Sequence, residues 1–162
     1  MFKIGDVVIY GAQGICKICN IETKQLGKIS ADYFVLKPIY NDSTSLFVPI
    51  KNEALASKMK PVLTLDQTNA LIEMAPKAEI IEIQDYAQKR EEYKNILAEN
   101  NREKLVSLIK TIRLEKEARR QNNKKLNIND EQVLRKAEIL LFDELGFVLN
   151  IKPQEVENII KI

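Results

Sequence analysis

The chain of 162 residues has no histidine, no tryptophan and only two cysteines. The absent imidazole removes the commonest general base and the commonest neutral metal ligand. The cysteines, Cys16 and Cys19, form a lone C-x-x-C. With no histidine and no third cysteine, a four-ligand N/S metal site within one chain is excluded unless carboxylates complete it. On a strand, residues three apart point to opposite faces. The pair therefore reads as two structural cysteines rather than a metal or redox centre. No nucleophile elbow is present, and Gly11-x-x-Gly14 is too short for a phosphate loop and lacks the Lys-Ser/Thr that would follow. No enzyme, cofactor, metal or small-molecule substrate is expected. No apolar run approaches the roughly 18 residues of a membrane span. No apolar block follows a basic start, so a cytoplasmic protein is expected.

What is present divides the chain in two. Phe2 to Tyr10 is a Gly-Asp turn followed by β-branched and aromatic residues, as in a strand entered from a tight turn. Gly11-Ala12-Gln13-Gly14 breaks it. Further strands are predicted at Ile15 to Glu22 (apolar Ile15, Ile18 and Ile21), Asp32 to Pro38 and Ser45 to Ile50. Four short strands separated by turn signals predict a small, strongly bent sheet or barrel over residues 1–65. Tyr10 and Tyr33 are expected in its core.

The remainder reads as helix. Thr64-Leu65-Asp66 offers caps for a helix carrying Ala70, Leu71 and Met74, which Pro76 stops. Ala78 to Gln84 fits either an extended or a helical bridge and is assigned, with that helix, to a 66–84 segment. Residues 85–162 are expected to form a helical domain. Asp85 caps a helix on which Tyr86, Arg90, Tyr93 and Leu97 share one face. Asn100-Asn101 interrupts. A long helix from Arg102 carries the apolar stripe Leu105, Leu108, Ile109 and Ile112. Asn127 caps another, with Asp130 three residues on and Gly146 as the expected stop. Pro153 opens a tail helix, where Val156, Ile159 and Ile160 would cover an apolar edge.

Net charge is +2 overall, but residues 102–125 hold nine basic side chains against three acids. Lys110, Arg113, Lys116, Arg119 and Arg120 lie largely off the apolar stripe. They make either a solvated face or a basic patch suited to weak or assisted nucleic-acid contact.

The opening Phe2-x-Ile-Gly-Asp-x-Val-Ile-Tyr10 with Gly14, the Tyr33-Phe-Val-Leu36 strand and the Val48-Pro49-Ile50 strand end resemble the N-terminal domain of the CarD/CdnL family of bacterial transcription regulators. That domain is shared with the transcription-repair coupling factor. Tyr86-x-x-Lys89-Arg90-x-x-Tyr93, Leu126-Asn127-x-x-Asp130-x-x-x-Leu134-x-x-Ala137 and Leu140-Leu141-x-x-Glu144-Leu145 are similar to the CarD-type helical domain. The chain also lacks the helicase P-loop of the coupling factor. The resemblance spans about residues 1–146 and implies an α+β protein: a Tudor-like or SH3-like small β-barrel followed by an all-α helical bundle.

It also implies a function. The β domain would present an edge strand to the β subunit of RNA polymerase, with Lys24, Phe47, Val48 and Pro49 at the contact. The helical domain would reach promoter DNA at the upstream edge of the bubble and stabilise the open complex, so that the protein is nucleoid-associated through the polymerase. The family's tryptophan wedge is absent, and Tyr86 takes its position. Lys89 and Arg90 follow as phosphate contacts, and Lys110 and Arg113 extend the basic surface. Glu91, Glu92 and Glu131 stand where the family tends to be basic, and the connector before Leu126 is longer. Each assignment has a plainer counterpart: Tyr86 as a packed helix aromatic, Lys24, Lys89 and Arg90 as solvated surface, Phe47 as core. The competing function is a module that docks on polymerase without touching DNA. RNA binding by the β domain lacks the surface aromatic platform it needs.

Overall fold

The computed structural model describes residues 1–41 and 44–162. The chain divides into two compact units, Met1–Val62 and Leu63–Ile162. Among the described residues no helix is long and apolar enough to cross a membrane.

The first unit is a five-stranded antiparallel sheet: β1 (Val7–Tyr10), β2 (Ile15–Leu26), β3 (Ile29–Pro38), β4 (Leu46–Pro49) and β5 (Met59–Pro61) in the order β4-β3-β2-β1-β5. A helical turn, α1 (Glu53–Ala56), precedes β5 and is capped by the Asn52 side chain. Val8, Cys16, Ile18, Phe34, Leu36, Val48 and Met59 form one buried cluster. Both edge strands feed that cluster, so the sheet curls over its own core. Among the described residues β4 and β5 do not pair with each other, and the expected barrel is an open sheet. The closing strands, of four and three residues, are too short to zip together around a core of this size. β5 is an element the sequence did not announce; Pro61 is tolerated because β5 is an edge. Tyr10 packs partly buried against the cluster. Tyr33 is only half-buried and is not part of it.

The register of β2 against β3 shifts between Ile18 and Asn20. The extra residue is Cys19. A bulge resets the alternation of faces, so Ile21, three residues from Ile18, sits opposite the core residue Phe34. Cys16 lies in the core and Cys19 on the surface; the two thiols do not converge. Gly27 turns β2 into β3 at φ +65, a left-handed conformation suited to glycine.

The second unit is all helix: α2 (Leu65–Met74), α3 (Tyr86–Glu99), α4 (Arg102–Gln121), α5 (Ile128–Leu149) and α6 (Pro153–Val156). Thr64 and Gln67 form a reciprocal capping box on α2. Asp85, Asn101 and Asn127 cap α3, α4 and α5 through their side-chain oxygens. The core joins Leu71, Tyr93, Ile96, Leu105, Leu108, Ile109, Leu141 and Leu145 with Val156 and Ile160 of the tail. On α2, Ala70 is exposed, while Thr68 and Leu71 are buried. Residues 78–84 form neither helix nor strand. Lys110 donates to the Pro76 and Ala78 carbonyls at 3.0 and 2.7 Å, and Ile81 N–H donates to Thr111 Oγ1 at 2.8 Å. The bridge is thus stitched to α4.

Gly146 does not stop α5, which runs on to Leu149 and is capped by Asn150 in the left-handed region at φ 55. The glycine serves close approach instead. A Cβ there would meet Ile151 O and Pro153 N and Cα at 3.1 Å, and Ile151 N–H donates back to Gly146 O at 3.0 Å. The tail turns across this gap. Val156 and Ile160 are buried, but Ile159, expected to join them, is exposed.

Candidate functional site

In the first unit the candidate surface is the β4 edge. Ile50 N–H donates to Asp32 O at 3.0 Å. Hydrogen-bonded and non-bonded pairs alternate along an antiparallel ladder. With Phe34 opposite Val48 and Val35 opposite Phe47, the 34–48 pair bonds across and the 35–47 pair does not. The N–H and C=O of Phe47 therefore point away from β3, along the open edge of the sheet. The Pro49 carbonyl on the same side accepts from Asn52 N–H at 3.4 Å.

The Phe47 ring is 41% exposed, and the Lys24 ammonium stands 3.3 Å from its centroid. A cation over a ring face is attracted by the ring quadrupole and fixes both groups. Lys24 and Phe47, from two strands separated by β3, thus make one surface feature. Val48, expected beside them, is fully buried in the core. Alternation sends its side chain inwards, so it can support a contact but not make one. Pro49 is half-buried.

In the second unit α3 carries the candidate surface. Tyr86 is its first residue and is 50% exposed. The expected shared face splits: Tyr93 and Leu97 are in the core, while Tyr86 and Arg90 are outside it. Buried residues on α3 begin at Tyr93, so its first two turns stand clear of the core. Arg90 lies with its guanidinium carbon 5.8 Å from the Tyr86 ring centroid, and the Lys89 ammonium lies 5.7 Å from that of Tyr93. Burial pushes the Tyr93 hydroxyl up to about 12, with Asp130 and Glu115 adding to the shift. Beside Arg90 a groove of about 520 Å³ opens between α3 and α5, and Lys94 and Lys136 line it with a single carboxylate, Glu91. The sequence reading missed Lys94 and Lys136. Their only signal was a spacing of four residues from Arg90 on α3 and a position on a helix some forty residues away.

The basic stripe of α4 is placed differently. Lys110 is tied to two carbonyls. Arg113 bridges Glu138 at 3.1 Å and Glu157 at 2.9 Å. Burial works against the Arg113 charge, but Glu157 and Glu138 outweigh it and its pKa is raised. Lys116 pairs with Glu131, Arg119 with Glu115 and Arg120 with Glu117, each within 2.9 Å. Lys110 and Arg113, expected as DNA contacts, are committed to holding the unit together.

Residues 2–63 match the family model of the CarD-like/TRCF RID domain. No curated protein matches the chain. The matched residues cover all five strands, the β4 edge and the Lys24–Phe47 pair. The match assigns RNA polymerase interaction to that unit. The first unit thus carries a domain similar to the CarD-like/TRCF RID domain, and the match ends at residue 63.

Proposed function

We propose that this protein is a transcription regulator that docks on the β subunit of RNA polymerase and stabilises the open promoter complex. Its first unit adds a polymerase strand to the β4 edge, pairing through Phe47 N–H and C=O. Main-chain bonds of this kind give affinity, and side chains give selection. The Lys24–Phe47 pair supplies the selection. Its second unit meets promoter DNA at the upstream edge of the bubble through the start of α3. Tyr86 stacks or wedges beside an unstacked step, Lys89 and Arg90 hold phosphates, and Lys94 and Lys136 continue the track. No bond to substrate is made or broken.

One observation carries the DNA half of the reading: a half-exposed aromatic at a helix start, with an arginine beside its ring and a groove lined by lysines next to it. The test is binding of the full chain to forked promoter DNA over a range of salt. Lys89→Ala with Arg90→Ala should weaken binding and flatten the salt slope by about two phosphate contacts. An unchanged slope would remove these residues from the DNA.

A second reading is favoured by the internal pairing of the α4 cations. In it the protein docks on polymerase and its helical unit recruits another protein. It predicts polymerase binding that depends on Phe47, with no salt-sensitive DNA binding at all.

A further inference from the structure

The second unit carries a second, apolar cleft, which borders the groove proposed for DNA at Gln132. It has a volume of about 440 Å³ and lies where the end of α4, the 122–127 connector and the start of α5 meet. Leu126 and Ile128 give its floor. Lys116, Arg120, Lys124 and Lys125 stand around it, against one lining carboxylate, Glu131. Leu126 is buried, but Ile128, the first residue of α5, is 77% exposed. Capping of α5 is done by Asn127, so Ile128 adds nothing to the helix start and leaves a large aliphatic group in water. Lys116 and Arg120 are paired with Glu131 and Glu117. Among the described residues no carboxylate pairs with Lys124 or Lys125.

We infer that this cleft docks a short acidic segment of a partner protein through one aliphatic anchor. The apolar floor takes the anchor and removes Ile128 from water. The unpaired Lys124 and Lys125 meet the acidic flanks, and charge complementarity of this kind orients the partner and speeds its arrival. A DNA backbone fits less well, because phosphates need only donors and gain nothing from an apolar floor. Tyr86, Lys89 and Arg90 take no part in the cleft, so the inference stands or falls apart from the DNA reading.

The experiment uses the full chain and a fluorescein-labelled short peptide carrying one leucine with glutamates on either side. Fluorescence anisotropy reads binding. A peptide with serine in place of leucine is the control for charge alone. The wild type should bind the leucine peptide and not the serine peptide. Ile128→Ser, at an exposed position, should weaken binding roughly tenfold or more. Lys124→Glu with Lys125→Glu should weaken it independently and reduce its salt dependence. Circular dichroism should show both variants folded as wild type.

Four results would overturn the inference. The leucine peptide fails to bind, or the serine peptide binds equally well. Duplex DNA displaces the peptide and itself loses affinity in the lysine variant, which assigns the cleft to DNA. Wild type self-associates and Ile128→Ser restores a monomer, which makes the occupant a second copy.

Discussion

Replacing Arg102 with methionine should be among the most damaging single changes in the second unit. Arg102 grips Glu144 with two bonds, Nε to Oε2 at 2.9 Å and Nη2 to Oε1 at 2.7 Å. Leu63 N–H also donates to Oε1, at 3.0 Å. Glu144 is fully buried. The variant would leave a carboxylate inside the unit with one backbone donor and no countercharge. Breaking a buried pair from one side costs about 3–5 kcal/mol. For a unit near 100 residues the unfolding entropy is about 0.2 kcal/mol per degree, so the midpoint should fall by roughly 15–25 °C. The double variant Arg102→Met with Glu144→Leu should recover most of the loss, because both charges are gone and the Leu63 N–H is the donor that Glu144 leaves unpaired. Urea unfolding of the full chain, read by the helical circular dichroism signal, measures all three proteins. A loss below about 1 kcal/mol for Arg102→Met, the size expected of a solvated pair, would refute the reasoning.

Gly146→Ala ought to destabilise by about 1–2 kcal/mol, where the same change in an open helix gains up to about 1. The reason is the 3.1 Å approach of Ile151 and Pro153, and thermal unfolding reads the sign. Burial pushes the Asp143 carboxyl up to about 6. Its folded pKa lies above its unfolded one, so it weakens the folded state above pH 6 and the penalty fades as pH falls towards about 4. Asp143→Asn should therefore stabilise by about 1–2 kcal/mol at pH 7.5, after allowing for solvent screening, and by nothing near pH 4; a gain independent of pH would contradict the assignment. The Cys16 thiol is buried and pushed up to about 11, while Cys19 is exposed. A thiol reagent at pH 8 should label one cysteine quickly and the second only on unfolding.

The two-part organisation was legible because each half has its own period. β-branched runs broken by turn residues gave the first four strands, and 3.6-residue stripes with Asp, Thr and Asn caps gave the helices. What escaped was non-local. Met59–Pro61 has no strand signal of its own and becomes β5 only because β1 offers Val8, Ile9 and Tyr10 as partners. The bulge at Cys19 is invisible until β3 sets the register. Gly146 looks like a helix stop, yet the chain ends α3 and α5 with left-handed asparagines, Asn100 and Asn150, and uses this glycine for close packing.

The candidate sites divide in the same way. Tyr86 and Arg90 could be placed on one helix, and Lys24 and Phe47 on the β unit, from sequence and resemblance. Which side of a strand or helix each side chain occupies was decided by pairing. Val48 went to the core by alternation. Lys110 and Arg113 went to internal partners because carbonyls at 76 and 78 and carboxylates at 138 and 157 fold back onto α4. A charge run on one helix carries no record of such distant partners.

The measurement that tests the central claim most directly is bubble collapse on a fluorescently labelled promoter bound by the cognate RNA polymerase. Collapse is followed alone, with wild-type protein and with Tyr86→Ala. The account predicts slower collapse with wild type and a rate near that of polymerase alone with Tyr86→Ala, while both proteins still bind the polymerase β subunit. Equal collapse rates in all three reactions, with polymerase binding intact, would contradict it and leave the protein as a docking module whose helical unit recruits something other than DNA.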